Sequence, residues 1–436
     1  SGRIIDLFEG TDYELPRDAL GNEVYDASPD GRRIAFQYDP ASTPVQGNRL
    51  ALAEIEIAGR RIKPLADDAH WDFGAPRYRP DGQALAATAA HVGRRHTAFN
   101  QLALIERGGG KNNKGWRLLV GDDWDLHAEA PLRWAEAEGR AQLLFAAQQR
   151  GRNHLWRLDV ASGEVGLAFE GGWVQGFDAA AGVVVTASDA ATHPVRLHAQ
   201  RAGQGSPLRL ERVNDALLTR RSLGTQREVT ITGALGEPVQ MWLTFPVGFK
   251  PSKKHPVMQV IHGGPFAAAG DTFSYRCNPH LLAARGHVLA QLNYHGSSGF
   301  GQAFRDSIMG RQGELELQDI EAASDWLLTQ PWADRTRLSA TGGSYGGFLV
   351  AWMNGHVKDP GRYRSYVCHA GVFDRVATFS ADSYAERPRD LGARYWEDLP
   401  KVLAQSPHSA AALMNTPTLV IHGALDYRVP DCNGLA

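Results

Sequence analysis

Gly342-Gly343-Ser344-Tyr345-Gly346 places a serine in the G-x-S-x-G spacing. The residues before it, RLSAT (337–341), read as a strand, and those after it, FLVAWMNG (348–355), read as a helix. A chain that turns this sharply from strand into helix strains the serine backbone and leaves no room for flanking side chains, so the neighbours must be glycine. The same turn aims Oγ at a helix N-terminus, where developing negative charge is stabilised. The chemistry is nucleophilic attack through a covalent acyl intermediate, with Ser344 as nucleophile. In a chain with 47 glycines the competing explanation is a chance match. The strand–turn–helix flanks argue against it.

Two further segments supply what a serine nucleophile needs. His262-Gly263-Gly264-Pro265 follows the apolar run VMQVI, about 80 residues before the serine. A tetrahedral intermediate requires backbone donors aimed at its oxyanion. The N–H of Tyr345 is one candidate, and the glycine turn offers the other, Gly264 in preference to Gly263. Read alone, the pair of glycines is an ordinary tight turn. Asp426 lies in HGALDYRVP, just after the run TLVI, and the order Ser, acid, His along the chain makes it the expected acid. The alternative for Asp426 is a loop aspartate closing an Asx turn, and Asp374 and Asp382 are rival acids. No histidine follows Asp426 in YRVPDCNGLA. His422 precedes the acid and is expected to pack beneath its loop, while the flanks of His369 and His408 do not mark either as a base. The triad is therefore incomplete in the expected order.

The elements around these residues alternate. PVMQVIHG (256–263), HVLAQLNY (287–294), RLSATGGS (337–344), RSYVCHAG (364–371) and PTLVIHG (417–423) are short apolar runs separated by helical stretches. In DIEAASDWLL (319–328), Ile320, Ala323, Trp326 and Leu327 fall on one helical face. Continuous apolar strands alternating with helices predict a mostly parallel sheet covered on both faces, with ligands bound beyond the strands' carboxyl ends. Ser344, the glycine turn and Asp426 all fall at such ends.

The first half has a different period. ASPDGRRIAF (27–36) and YRPDGQALAA (78–87) share Pro-Asp-Gly before an apolar stretch, and WAEAEGRAQLLFAA (134–147) and FDAAAGVVVTAS (177–188) are degenerate copies. Between them lie strand–turn–strand segments at 50–66, 101–120 and 154–169. Repeats of roughly 40–55 residues made only of strands predict propeller blades, about four of them. A generic all-β domain with incidental Asp-Gly turns is the bland alternative. RIIDLFEG (3–10) reads as the closing strand of a further blade. GGGKNNKG (108–115) lacks the ending of a phosphate loop and reads as a solvated hairpin loop. The expected domains are 1–215, β-propeller, and 216–436, α/β-hydrolase.

The totals exclude several function classes. With 46 basic and 48 acidic residues, nothing suggests a surface for nucleic acid or an anionic membrane. No apolar run is long enough to span a bilayer. Cys277, Cys368 and Cys432 are far apart, which disfavours a disulfide framework or zinc site and favours a reducing compartment, so a cytoplasmic location is expected with a periplasmic one left open. No metal or cofactor is implied.

Taken together, GGSYGG, HGGP and HGALDYRVP resemble the prolyl oligopeptidase family of serine peptidases, in its acylaminoacyl-peptidase and dipeptidyl-peptidase branch. NYHGSSGFG (293–301) is similar to the family's N-x-R-G-S-x-G segment, with His295 where arginine is usual. GELELQDIEAASDWL (313–327) and SPHSAAALMNTPTLVIHG (406–423) add to the likeness. The resemblance covers nearly the whole chain. It implies a β-propeller plus an α/β-hydrolase domain that is C-terminally incomplete here, with blades also missing upstream. It implies Ser344 as nucleophile, Asp426 as acid, Gly264 and Tyr345 as oxyanion donors, and a catalytic histidine beyond Ala436. The expected function is hydrolysis of short peptides, with an apolar pocket drawing on Val372, Phe373 and Phe379, and this fragment alone is expected to be inactive. Some family members place a tyrosine at the position of His262, and imidazole need not play its part. An esterase or lipase, or a non-catalytic propeller scaffold, are the alternatives. Assembly into a homo-oligomer is left open.

Overall fold

The computed structural model describes all residues except 1–3, 17–21, 41–48, 95–96, 107–114, 122–123, 127–130, 138, 202–203, 383 and 385. The chain divides into two compact units, one of residues 1–190 and 195–212, the other of residues 191–194 and 213–436.

The first unit is built from antiparallel sheets in four-strand groups. Tyr25–Ala27, Arg33–Tyr38, Ala51–Glu56 and Ile62–Ala66 form the first group, and Trp71–Tyr78, Ala84–His91, Gln101–Glu106 and Trp116–Leu118 the second. The third (Arg133–Ala137, Arg140–Gln149, Arg152–Asp159, Val165–Phe169) and fourth (Trp173–Ala180, Val183–Ala190, His193–Arg201, Gln204–Arg209) belong to one larger sheet. They are joined by a single parallel pair, Asn153 with Trp173. These groups are the blades that the repeat predicts.

Each repeat copy turns out to be the first hairpin of a blade. Gly31 and Gly82 take φ of +67° and +69°, the left-handed conformation that glycine adopts freely. The preceding aspartates close the turns, Asp30 Oδ1 accepting from Arg32 N–H at 3.1 Å and Asp81 Oδ1 from Gln83 N–H at 2.9 Å. In the fourth copy both turn residues, Ala181 and Gly182, are left-handed, with φ of +49° and +72°. Glu138 of the third copy and most of the 108–115 loop lie outside the described residues. One expectation fails. Residues 4–10 form no strand; they end in a turn, and Leu7 and Phe8 pack on the first blade, Phe8 with its ring centroid 4.8 Å from that of Phe36. A short apolar run next to an uncovered apolar surface packs as readily without ladder bonds as with them.

The second unit holds a seven-stranded sheet: β1 (Gln226–Thr232), β2 (Pro238–Thr244), β3 (His255–Ile261), β4 (Val288–Asn293), β5 (Ala333–Gly343), β6 (Ser365–His369) and β7 (Thr418–Ile421), in the order β1-β2-β4-β3-β5-β6-β7. The pairs from β4 through β7 are parallel, and the β1 hairpin adds an antiparallel edge. All five strands read from the apolar runs are present. Of the helices, α1 (Glu314–Thr329) buries Ile320, Ala323 and Leu327, as its pattern predicts, and α2 (Tyr345–His356) buries Phe348, Leu349, Val350 and Met353. Together with Val257, Ile261, Leu292 and Leu338 these form one apolar core that fixes the strand ends relative to one another. Strand β7, at the sheet's end, is exposed along its whole length. No helix among the described residues is long and apolar enough to cross a membrane.

Candidate active site

Ser344 stands between β5 and α2 with φ +57° and ψ −119°, a conformation costly for any residue bearing a side chain. The surrounding packing enforces it. Ser344 N–H donates to the His369 carbonyl at 2.9 Å, and Phe348 N–H donates to the Ser344 carbonyl at 2.9 Å. A Cβ on Gly342 would stand 2.3 Å from the Gly346 carbonyl oxygen, and one on Gly347 would stand 2.7 Å from Gly371 Cα. The elbow therefore closes only over glycines.

The glycine turn after β3 comes to the same place because β3 neighbours β5, Ile261 registering with Gly342. A Cβ on Gly263 would stand 3.3 Å from Ser344 Cβ and 2.6 Å from the Gly343 carbonyl oxygen, so the turn lies against the elbow at Ser344. Gly264 follows with φ +57°. Tyr345 is the first residue of α2, where backbone N–H groups have no intrahelical partner.

His262 holds this turn in place. Its ring stacks on Tyr294 with centroids 4.2 Å apart and planes within 9°. Ser297 Oγ donates to the Tyr294 carbonyl at 2.7 Å, so it accepts from His262 Nε2–H at 2.9 Å. The Tyr294 hydroxyl donates back to the His262 carbonyl at 2.9 Å and lies 3.2 Å from Nδ1. Burial pushes the imidazole down to about 4, so it is neutral near pH 7, held by its stack on Tyr294 and its hydrogen bond to Ser297.

Asp426 follows β7. Its Oδ1 accepts from the N–H groups of Arg428 at 3.0 Å and Val429 at 2.9 Å, while Oδ2 lies 3.9 Å from His422 Nε2. The Asx turn thus engages one oxygen and leaves the other for a second partner. His422 packs beneath the loop, its side chain 8% exposed, with Nε2 donating to the Val429 carbonyl at 2.8 Å. Asp374 Oδ1 likewise accepts from a backbone N–H, that of Val376, at 2.8 Å and lies 3.8 Å from His408 Nδ1, and Asp382 pairs with Arg428 at 2.5 Å. His369 packs against Gly343, where a Cβ would stand 3.3 Å from its Nδ1, and His408 Nδ1 lies 3.3 Å from the Phe373 carbonyl. Among the described residues no histidine is hydrogen-bonded to Ser344 Oγ.

The three expected pocket residues separate. Val372 is 6% exposed and packs in the apolar core. Phe373 is half-buried beside His408, with ring centroids 6.2 Å apart. Phe379 is half-buried against Tyr395 and Trp396, at 5.2 and 6.0 Å. Among the described residues no cluster of three or more His, Cys, Asp or Glu is placed to hold a metal ion.

Sequence reasoning missed a buried polar group beneath the elbow. Glu316 of α1 is fully buried, accepting from the Tyr345 hydroxyl at 2.6 Å and from Gly313 N–H at 3.0 Å. Burial pushes its carboxyl up to about 7, against the pull of these hydrogen bonds. One turn on, Asp319 Oδ2 accepts from both the backbone N–H and Nδ1 of His295, each at 2.7 Å. The signal was present: Glu316 and Asp319 sit four residues before Ile320 and Ala323, on the apolar face of α1.

Residues 273–436 match the model of the prolyl oligopeptidase family. The chain is 28% identical to dipeptidyl-peptidase 5 of Schizosaccharomyces pombe, covering 100% of this chain and 63% of that protein. It is 26% identical to dipeptidyl-peptidase 5 of Porphyromonas gingivalis, covering 97% and 62%. Among solved structures, the acylaminoacyl peptidase of Pyrococcus horikoshii superposes with a TM-score of 0.62 at 18% identity, over 94% of this chain and 80% of that one. Dipeptidyl peptidase 4 of Porphyromonas gingivalis does so with a TM-score of 0.68 at 18% identity, over 94% and 68%. At that identity the likeness speaks for the fold alone: antiparallel blades plus a mostly parallel hydrolase sheet. The chain spans less than two thirds of the length of the curated relatives it matches. The matched residues carry the elbow and the Asp426 loop, and this part of the chain is similar to the prolyl oligopeptidase family.

Proposed function

We propose that the full-length protein is a serine peptidase that cleaves short peptides through an acyl-enzyme, with dipeptidyl-peptidase or acylaminoacyl-peptidase specificity. The observation that carries this reading is the strained backbone of Ser344, set against the Gly263-Gly264 turn and at the start of α2. In this reading Ser344 Oγ attacks the scissile carbonyl, and the N–H groups of Tyr345 and Gly264 stabilise the oxyanion. Asp426 offers Oδ2 to orient a histidine base contributed from outside these 436 residues. The 436-residue chain alone would then turn over little substrate. Phe379, with Tyr395 and Trp396 beside it, supplies an apolar surface for a substrate side chain. Catalysis requires no metal in this scheme.

Reaction of the full-length protein with a fluorophosphonate tests the nucleophile. Labelling at Ser344, abolished in Ser344→Ala, supports it, and absence of labelling overturns it. Turnover of aminoacyl-anilides separates a peptidase from an esterase; activity on simple acyl esters alone would sink the peptidase reading.

A further inference from the structure

We propose that Glu316 is a positioning residue for the oxyanion donor: it anchors the Tyr345 side chain, so that the Tyr345 N–H points where the oxyanion forms. The inference rests on the serine-peptidase reading above and deepens it. Tyr345 carries two separate tasks on one residue. Its N–H opens α2 beside the nucleophile, and its side chain, 5% exposed, runs into the core to place its hydroxyl 2.6 Å from Glu316 Oε1. The second carboxylate oxygen is fixed by Gly313 N–H at the start of α1, so Glu316 ties the first turn of one helix to the first residue of the other. Arg375, 1% exposed, closes the ring from the far side, its guanidinium carbon 5.4 Å from the Tyr345 ring centroid and 3.8 Å from that of Phe348.

A buried carboxyl is costly in an apolar core, and Phe in place of Tyr345 would fill the same volume without it. Such a group is explained by a requirement for exact placement of the residue it holds. A donor matters to the transition state only if it meets the position of the oxyanion, and small displacements are felt in kcat. The groups facing Glu316 are Tyr345 from α2, Arg375 from the loop after β6, Tyr294 from the loop after β4 and Asp319 from α1, the last paired with His295. The ionised carboxylate accepts from the Tyr345 hydroxyl. Protonation near pH 7 removes the charge that strengthens this hydrogen bond, and so loosens the anchor.

The test uses the full-length protein, an aminoacyl-anilide substrate and the variants Tyr345→Phe, Glu316→Gln and both together, with Tyr363→Phe as control. Tyr363 is another buried tyrosine of the same core, hydrogen-bonded to Gln259 at 2.8 Å and away from the elbow. Tyr345→Phe is expected to lower kcat about tenfold at nearly unchanged KM, a fraction of the effect of losing an oxyanion donor outright. The double variant is expected to be no slower than Tyr345→Phe, and Tyr363→Phe to leave kcat unchanged. The acid limb of the wild-type kcat profile should reflect two ionisations, the base and Glu316, and Glu316→Gln should reduce it to one. A kcat for Tyr345→Phe within twofold of wild type, an equal loss in Tyr363→Phe, or an acid limb unchanged in Glu316→Gln overturns the proposal. Absence of fluorophosphonate labelling in the wild type would instead overturn the peptidase reading, and this inference with it.

Discussion

The backbone of Gly346 rests against the carbonyl of Ile261, so that a Cβ on Gly346 would stand 2.2 Å from that oxygen and 2.9 Å from the His262 carbonyl oxygen. This contact joins the first turn of α2 to the end of β3, and through it Ser344 to the glycine turn. Both obstacles are backbone, which cannot swing aside as a side chain would. Gly346→Ala is therefore expected to destabilise the second unit by about 3 kcal/mol, the upper range for overpacking, and to abolish fluorophosphonate labelling. Urea denaturation and labelling measure the two effects. A normal midpoint with full labelling would show that the elbow tolerates a side chain there.

The buried pair of His295 and Asp319 makes stability depend on pH. Burial pulls the imidazole down, but the hydrogen bond and charge of Asp319, aided by Glu237 at 3.4 Å, more than offset it and raise it above the ordinary value of 6.5. A raised folded value means the stabilisation is complete below about 6.5 and is lost as pH rises through the higher folded value. Glu316 acts with the same sign in a lower window: its contribution is complete below 4.5 and lost as pH rises through about 7. Tm should therefore fall as pH rises above about 5, in two overlapping stages. Glu316→Gln should flatten the first and His295→Gln the second. A Tm independent of pH in the wild type would refute both assignments.

Much of this was legible because local chemistry and global fold agree at the same residues. The Asp-Gly pairs at Asp30 and Asp81 specify left-handed turns, and those turns start the blades. The glycines around Ser344 are demanded by a steric conflict that exists only in a strand-to-helix elbow. Residues 4–10 were misread because an apolar run carries no mark of whether its backbone bonds are made in a ladder. Glu316 went unnoticed because a periodicity argument follows the apolar members of a face and passes over the polar residues sharing it. Position after a strand end does not say which way a side chain points, which is why Val372, Phe373 and Phe379 could be named together though they pack in different surroundings.

Strand β7 ends the sheet with Leu419, Val420 and Ile421 exposed by 58, 47 and 46%. Successive side chains of a strand face opposite sides, so both faces of β7 are apolar and uncovered. An exposed apolar edge strand offers unpaired backbone groups to other strands, even when it is as short as β7. The 436-residue chain is expected to associate with itself at micromolar concentration, and Ile421→Lys should shift it toward monomer in light scattering. A monomeric wild-type chain under those conditions would show that the edge is protected.

Asp426→Asn separates turn from acid at a single position. Asn keeps an oxygen to accept from the N–H groups of Arg428 and Val429, so the loop after β7 should hold and Tm should change little. What is lost is the negative charge on the second oxygen, which in the proposed mechanism fixes the tautomer of a base and stabilises its imidazolium. The loss in kcat for the full-length protein should be on the order of 10⁴-fold, as when the acid of a serine–histidine–aspartate triad is neutralised. Asp374→Asn, whose carboxylate caps Val376 instead, should leave kcat within a few-fold of wild type. If the two variants exchanged these outcomes, the acid would be Asp374, and the strand that presents it would be β6 rather than β7.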